Sequence, residues 1–334
     1  MLNCEYDIYV VIADMKGLKI NKIQSGRLYK VDRVCTQSPL KFQELSLESL
    51  SEIYPYLSGL KGLSCDYTAG GIFMWIDYFK YKYCIYENTL FIKGVAEDNL
   101  QRKAFSMPIG CMSLSESVSL LKDYCDERNY ELEFSGITDI WLDEFRLLNP
   151  RDIIRLDQWS DYVYDIESLV TLKGKKLSRK RNHCNRFAQD FPDAVLEPVL
   201  PQNCDLVKEC FKQVCAEGKL SPMANYEREQ VWKVLDLLDA YPFEAMCLIA
   251  DGRVVAFTIG EVIGEVAHIH IEKSLREIAG SAESINRLFA EFIRKKYPQV
   301  KWVNRQDDAG DEGLRQAKMS YSPAFLLGKY KVIF

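Results

Sequence analysis

The chain has 334 residues, with 43 Lys+Arg against 48 Asp+Glu and a formal net charge of -5. A hydrophobic share of 48% and a charged share of 27% are those of a folded protein, and the length predicts two domains rather than one. The acidic balance excludes a general nucleic-acid coat, and the longest uncharged run, 104–115, is too short and too polar to span a bilayer.

Residues 1–37 hold no sustained period and are set apart as an extension. Residues 45–60 put Leu47, Leu50, Ile53 and Tyr54 at helical steps behind the candidate caps Ser46 and Ser49. Pro55 is expected to end or kink that helix, and Gly59 to close it. An aromatic-rich run, GIFMWIDYF, follows. Residues 81–94 then read as two strands about an Asn turn, KAFSMPIG as a strand, and 113–129 as a helix. ELEFSGIT reads as a strand and DIWLDEFRLL as a short helix. Asn149-Pro150-Arg151 marks the expected domain boundary.

The second half repeats the plan. Residues 163–191 are helical in pattern and closed by Pro192; VLEPV is a strand; CDLVKECFKQVCAEG and YEREQVWKVLDLLDAY are helices. Residues 243–274 alternate strongly about Asp251-Gly252 and predict three antiparallel strands. A helix over 281–297, a strand at VKWVN, a short helix at DEGLRQAKM and a last strand in PAFLLGKYKVIF complete the chain. The fold class expected is α+β, with domains at 38–150 and 151–334.

Eleven cysteines are scattered with no C-x-x-C, so reduced, mostly buried thiols are expected. The N-terminus lacks a basic n-region, and a cytoplasmic location is the simplest expectation.

Three stretches carry chemistry. KGKKLSRKRNHCNRF (173–187) holds seven Lys or Arg and no acid. On a helix, Lys176, Arg179, Lys180, His183 and Arg186 form one self-repelling stripe that a polyanion would relieve; Lys173 and Arg181 add to it. In HIHIEKS (268–274), strand alternation puts His268, His270 and Glu272 on one face. Side chains at that spacing stand about 7 Å apart and do not converge on a metal, so none is expected; Glu272 or His270 suits a general base. Residues 303–323 end a strand at Asn304-Arg305, add Asp307 and Asp308, and continue to a short helix capped by Asp311 with Arg315 and Lys318 on one face.

Together these stretches resemble the characteristic blocks of the phosphatidylglycerol lysyltransferase C-terminal domain family, in its soluble branch. The pattern N-R-x-x-D-x-G-x-x-G-L-R-x-A-K-x-S-Y-x-P is long and specific, and 65–92 resembles the matching block of the first domain. The resemblance covers roughly 40–334. It implies two tandem GNAT-like acyltransferase domains, a plan shared with Fem-type transferases, and transfer of an aminoacyl group from aminoacyl-tRNA. The family's blocks fall here on Gly174, Leu177, Arg181 and Asn182, and on Leu314, Arg315, Lys318 and Pro323. The chain lacks the transmembrane half of the membrane-bound relatives, so access to a lipid acceptor is not implied.

The expected function is therefore an aminoacyl or acyl transferase acting through the second domain. Lys173, Lys176, Arg179, Lys180, Arg181, His183 and Arg315 hold the carrier's phosphates. Arg305 and Lys318 stabilise the oxyanion, and Asp307 or Asp308 orients Arg305. The acceptor is a lipid head group, a peptide or a small molecule. No cofactor is required, although acyl-CoA is an alternative donor. That alternative, an acyl-CoA-dependent N-acyltransferase, needs the degenerate loop REIAGSAES (276–284), where Ala279 and Ser281 stand in place of glycines. A third expectation is a non-catalytic binding module.

Overall fold

The computed structural model describes residues 37–60, 62–216, 222–238 and 243–334. The expected extension lies outside them, apart from its last residue. The first half runs β1 (Gln43–Glu44), α1 (Leu50–Ser58), α2 (Ala69–Trp75), β2 (Lys82–Tyr86), β3 (Thr89–Ala96), β4 (Asn99–Phe105), β5 (Ile109–Gly110), α3 (Leu114–Asp126), β6 (Glu133–Thr138) and α4 (Leu142–Arg146). The second half begins β7 (Asp152–Arg155), β8 (Asp161–Asp165), α5 (Ile166–Thr171), α6 (Ser178–Asp190), β9 (Val195–Pro198), α7 (Cys204–Cys215) and α8 (Pro222–Asp236). It continues β10 (Glu244–Ala250), β11 (Arg253–Ile263), β12 (Val266–Ser274), α9 (Ser281–Lys296), β13 (Trp302–Asn304), α10 (Glu312–Met319), β14 (Phe325–Leu327) and β15 (Lys329–Ile333).

Two mixed sheets flanked by helices result, as the α+β reading expects. The first has the order β1-β2-β3-β4-β6-β15-β7 with β5 beside β3; the second has β14-β8-β13-β12-β11-β10-β9. Sheet membership crosses the expected boundary at 150. Strands β7 and β15, from the second half, complete the first sheet. The last strand of the sequence reading is thus two: β14 pairs β8 in the second sheet, Gly328 intervenes, and β15 enters the first.

Other departures are local. Residues 163–191 do not form one helix. β8 and α5 end at Leu172 in a left-handed conformation (φ 47), Gly174 (φ 90) turns the chain, and α6 starts only at Ser178. Pro55 lies inside α1 rather than ending it. The GIFMWIDYF run begins as α2, capped by Thr68, whose Oγ1 accepts from the Gly71 amide.

Among the described residues, each sheet holds one parallel pair. β12 and β13 pair through Val266↔Trp302, Ala267↔Val303 and His268↔Asn304, then part. β4 and β6 meet only at Phe105↔Phe134. Main-chain groups beyond a parting lose their ladder partners and must find others.

Candidate functional site

The site lies where segment 63–71 of the first half meets β8, β12 and the β13 end of the second. A β-bulge in β12 sets its geometry. His268 pairs Glu261 and Glu272 pairs Thr258, but Ile271 and Ile269 face the consecutive residues Ile259 and Gly260. Glu261 and Thr258 stand three apart on β11, so their partners point to opposite faces. The expected single face of His268, His270 and Glu272 is therefore split.

One face turns to the first half. His270 Nε2 lies 2.8 Å from Glu261 Oε1, which also accepts from the Gly70 amide at 2.7 Å. His270 Nδ1 receives Gln306 Nε2 at 3.0 Å. Both ring nitrogens are engaged. Burial would raise the Glu261 carboxyl, but the His270 and Gly70 hydrogen bonds hold it below the usual range. His268 is buried with neither ring nitrogen bonded, and burial pushes it down to about 4.

The opposite face turns to α9. Arg305 donates to Glu272 Oε1 at 2.6 Å, and Asn286 donates to Glu272 Oε2 at 3.0 Å, so both oxygens of Glu272 are engaged. The Arg305 guanidinium stacks 4.7 Å from the Tyr321 ring centroid, and Lys180 Nζ lies 4.2 Å from the same ring. The basic segment and the 303–323 cluster thus meet on Tyr321.

Lys318 links the two faces. Its ammonium donates to the Asp307 carbonyl. Burial lowers its pKa, opposed by Asp307 and assisted by Arg305. Beyond Asp307 stands Lys329, 2% exposed, 2.8 Å from both Asp66 and Asp161 and 3.8 Å from Asp307. Burial alone would depress Lys329, but Asp161 and Asp66 hold it well above its ordinary value. Burial raises Asp307 to about 6 and Glu97 to about 7. A cavity of ≈ 60 Å³ opens here, with Asp66, Glu97, Asp307 and Lys329 in its wall and the aromatic rings of Trp75, Tyr81 and Trp159 around them. Three carboxyls face one ammonium, so the wall favours a cation. Cys65, Asp161 and Asp307 bring ligand atoms within 4.8 Å of one another, but the Lys329 ammonium already fills that cation position.

A protein-family model for the C-terminal part of phosphatidylglycerol lysyltransferase matches residues 59–333. The chain belongs to this family. A conserved protein of unknown function from Bacteroides thetaiotaomicron superposes with a TM-score of 0.78 at 28% identity, covering 88% of this chain and 99% of that one. L-PGS from Bacillus licheniformis gives 0.61 at 14% identity, covering 87% and 92%; FemX gives 0.56 at 10%, covering 88% and 97%. At these identities both show the fold alone. An uncharacterized protein of Mycoplasmoides gallisepticum is 24% identical over 176 residues, 52% of this chain and 56% of its own length. The match thus spans little more than half of that curated relative. Among the described residues, no helix is long and apolar enough to cross a membrane.

The candidate residues of the sequence divide by position in the fold. Lys180, Arg305, Lys318 and Asp307 come together. Lys173 and Lys176, expected on the helix, lie in the loop before α6 and are exposed, as is Arg179 in its first turn. Arg181 donates to the Leu172 carbonyl at 2.6 Å and ties that loop down. The His183 main chain packs on Gly280, where an added Cβ would stand 2.5 Å from the His183 carbonyl oxygen. Asp308 pairs with Arg315 at 3.0 and 3.1 Å and accepts from Tyr162 at 2.5 Å. Arg305 takes Glu272, not Asp307 or Asp308, as its carboxylate.

Sequence reasoning missed Lys329, Asp161, Asp66 and Glu97. The signal for Lys329 was present: Lys329 and Lys331 stand at alternate positions of an otherwise apolar terminal strand, and both are buried on acids. Nothing local marked Glu97, which joins the site only through sheet pairing.

Proposed function

We propose that the chain transfers an aminoacyl group from a tRNA-like, phosphate-rich carrier to an amine or hydroxyl acceptor. The observation that carries this reading is a series of cationic groups that ends at an acid-lined cavity. It leads from the exposed Lys173, Lys176 and Arg179, through Lys180, Tyr321 and Arg305, to Lys318, Asp307 and the acid-lined cavity.

In this reading the outer cations hold phosphates. The cavity takes the ammonium of the aminoacyl group, favoured by Asp66, Glu97 and the aromatic faces. Glu272 is held by Arg305 and Asn286 and both ring nitrogens of His270 are engaged, whereas Asp307, raised to about 6, suits a base at neutral pH. Asp307 takes the acceptor's proton as the acceptor attacks the ester carbonyl. Lys318 donates to the developing oxyanion; as the oxyanion collapses and the ester C–O bond breaks, the proton held by Asp307 passes to the departing oxygen, which leaves as the carrier's hydroxyl.

The start of α9 favours this donor over acyl-CoA. α6 covers it at Gly280, and its first turn carries Glu283 paired to Lys180 at 3.2 Å, so a pyrophosphate would meet packed backbone and a carboxylate. The test is transfer of radiolabel from a pool of aminoacyl-tRNAs to a panel of lipid, peptide and small-amine acceptors, with acetyl-CoA as the competing donor. Label transfer that Asp307→Asn reduces about a hundredfold or more supports the reading. Transfer only from acetyl-CoA, or full activity in Asp307→Asn, overturns it.

A further inference from the structure

The parting of β4 and β6 in the first sheet is the counterpart of the β12–β13 parting in the second. In the second sheet side chains span the gap: Gln306 to His270, and Arg305 to Glu272. In the first sheet, among the described residues, Tyr67 does so. The Tyr67 hydroxyl donates to the Gly136 carbonyl at 3.4 Å and accepts from the Met107 amide at 3.1 Å. It thereby pairs one main-chain group from each diverging strand. Tyr67 is 3% exposed, and its ring stands edge-on to Trp141 at 4.9 Å.

Tyr67 also ends the single helical turn Cys65–Tyr67. That turn is pinned at its other end by the second half: the Cys65 amide donates to Asp161 at 3.0 Å, and Asn304 donates to the Leu63 carbonyl at 2.6 Å. Between the two anchors, Asp66 reaches Lys329 at 2.8 Å, and both Cys65 and Asp66 line the cavity.

We propose that the first half's strand parting is a socket for Tyr67, and that Tyr67 is a positioning residue holding Cys65 and Asp66 against the transfer site. The first half is then not a second transfer centre. Its gap is filled by the chain's own phenol, and it contributes one wall of the site. This role matters for transfer only if the cavity is the aminoacyl site, but the position of the turn can be read without transfer.

The measurement is peptide-resolved alkylation of cysteines by iodoacetamide in the full chain. Tyr67→Phe keeps the ring and loses both hydrogen bonds. Cys65 should react about tenfold faster in this variant, while the buried Cys84 and Cys247 keep the wild-type rate. In Tyr67→Gly, added phenol should slow Cys65 labelling again. Unchanged Cys65 labelling in Tyr67→Phe overturns the socket. So does equal acceleration at all three cysteines, because Tyr67 would then serve only global stability. Lysine amide, titrated by calorimetry, gives the second arm. If Tyr67→Phe loosens Cys65 and also weakens amide binding, both readings stand. If wild type binds no amide while Cys65 still responds, the ammonium reading fails and the socket survives.

Discussion

Asp307 and His268 show how burial, the largest influence on each, shifts two side chains of one site in opposite directions. Asp307 is raised to about 6, so in its proposed role as a base it works only above that pH. The transfer rate should climb as pH rises through about 6 and then level, and Asp307→Asn should remove that limb in a pH–rate profile. His268 is pushed down to about 4 from an ordinary 6.5. The unfolded chain therefore takes up a proton at a higher pH than the folded one. Its contribution to stability is full above about 6.5 and is lost as pH falls towards 4, on the order of 3 kcal/mol in all. His268→Leu removes two unbonded buried nitrogens as well as the titration. Urea unfolding at pH 7 and pH 4.5 should show a smaller acid-side loss in this variant; an unchanged difference would rule His268 out as the cause.

At the scale of elements, the approach of α2 to β12 decides whether the halves register. A Cβ on Gly70 would stand 2.6 Å from His270 Cδ2 and 2.8 Å from Phe243 Cε1. His270 has no room to yield, because Glu261 holds one ring nitrogen and Gln306 the other. Gly70→Ala should therefore cost about 1–3 kcal/mol, read as a lower urea midpoint at unchanged slope. An unaltered midpoint would mean that α2 moves freely against the second sheet. The same packing logic explains why α6 is not the long helix its periodicity suggests. Leu172 and Leu177 bury with Cys184 in a small cluster, and the left-handed turn at Leu172 puts them there.

At the scale of the whole molecule, β15 binds the two halves into one unit. It carries Lys329 from the end of the second half into the first sheet, among acids drawn from both. Lys329→Met would leave Asp66 and Asp161 facing each other without a cation. The expected loss is about 3–5 kcal/mol at neutral pH. The deficit should shrink as pH falls and the carboxylates protonate. A calorimetric scan at pH 7 and pH 5 checks both size and trend; a deficit that is small, or that grows towards pH 5, would show that the acids do not depend on Lys329.

Local chemistry made much of this protein legible in sequence. Strand alternation, helix periodicity and turn residues report on neighbours a few positions apart, so the α+β class, the meander over 243–274 and the 303–323 cluster could be read directly. Arg305, Lys318 and Asp307 stood out because polar side chains crowd just past a strand end. Contacts between distant segments were not legible. A one-residue bulge in β12 reversed the facing of Glu272 relative to His270, and alternation cannot count an inserted residue. Gly328 sent the two parts of one apparent terminal strand into different sheets, and so gave Lys329 its three acids. The composition determined that this chain folds and carries a concentrated cationic segment. Which charges face one another was decided only by the tertiary pairing, because a buried ammonium takes its partners from whatever strands pack beside it, however far apart they lie in the chain.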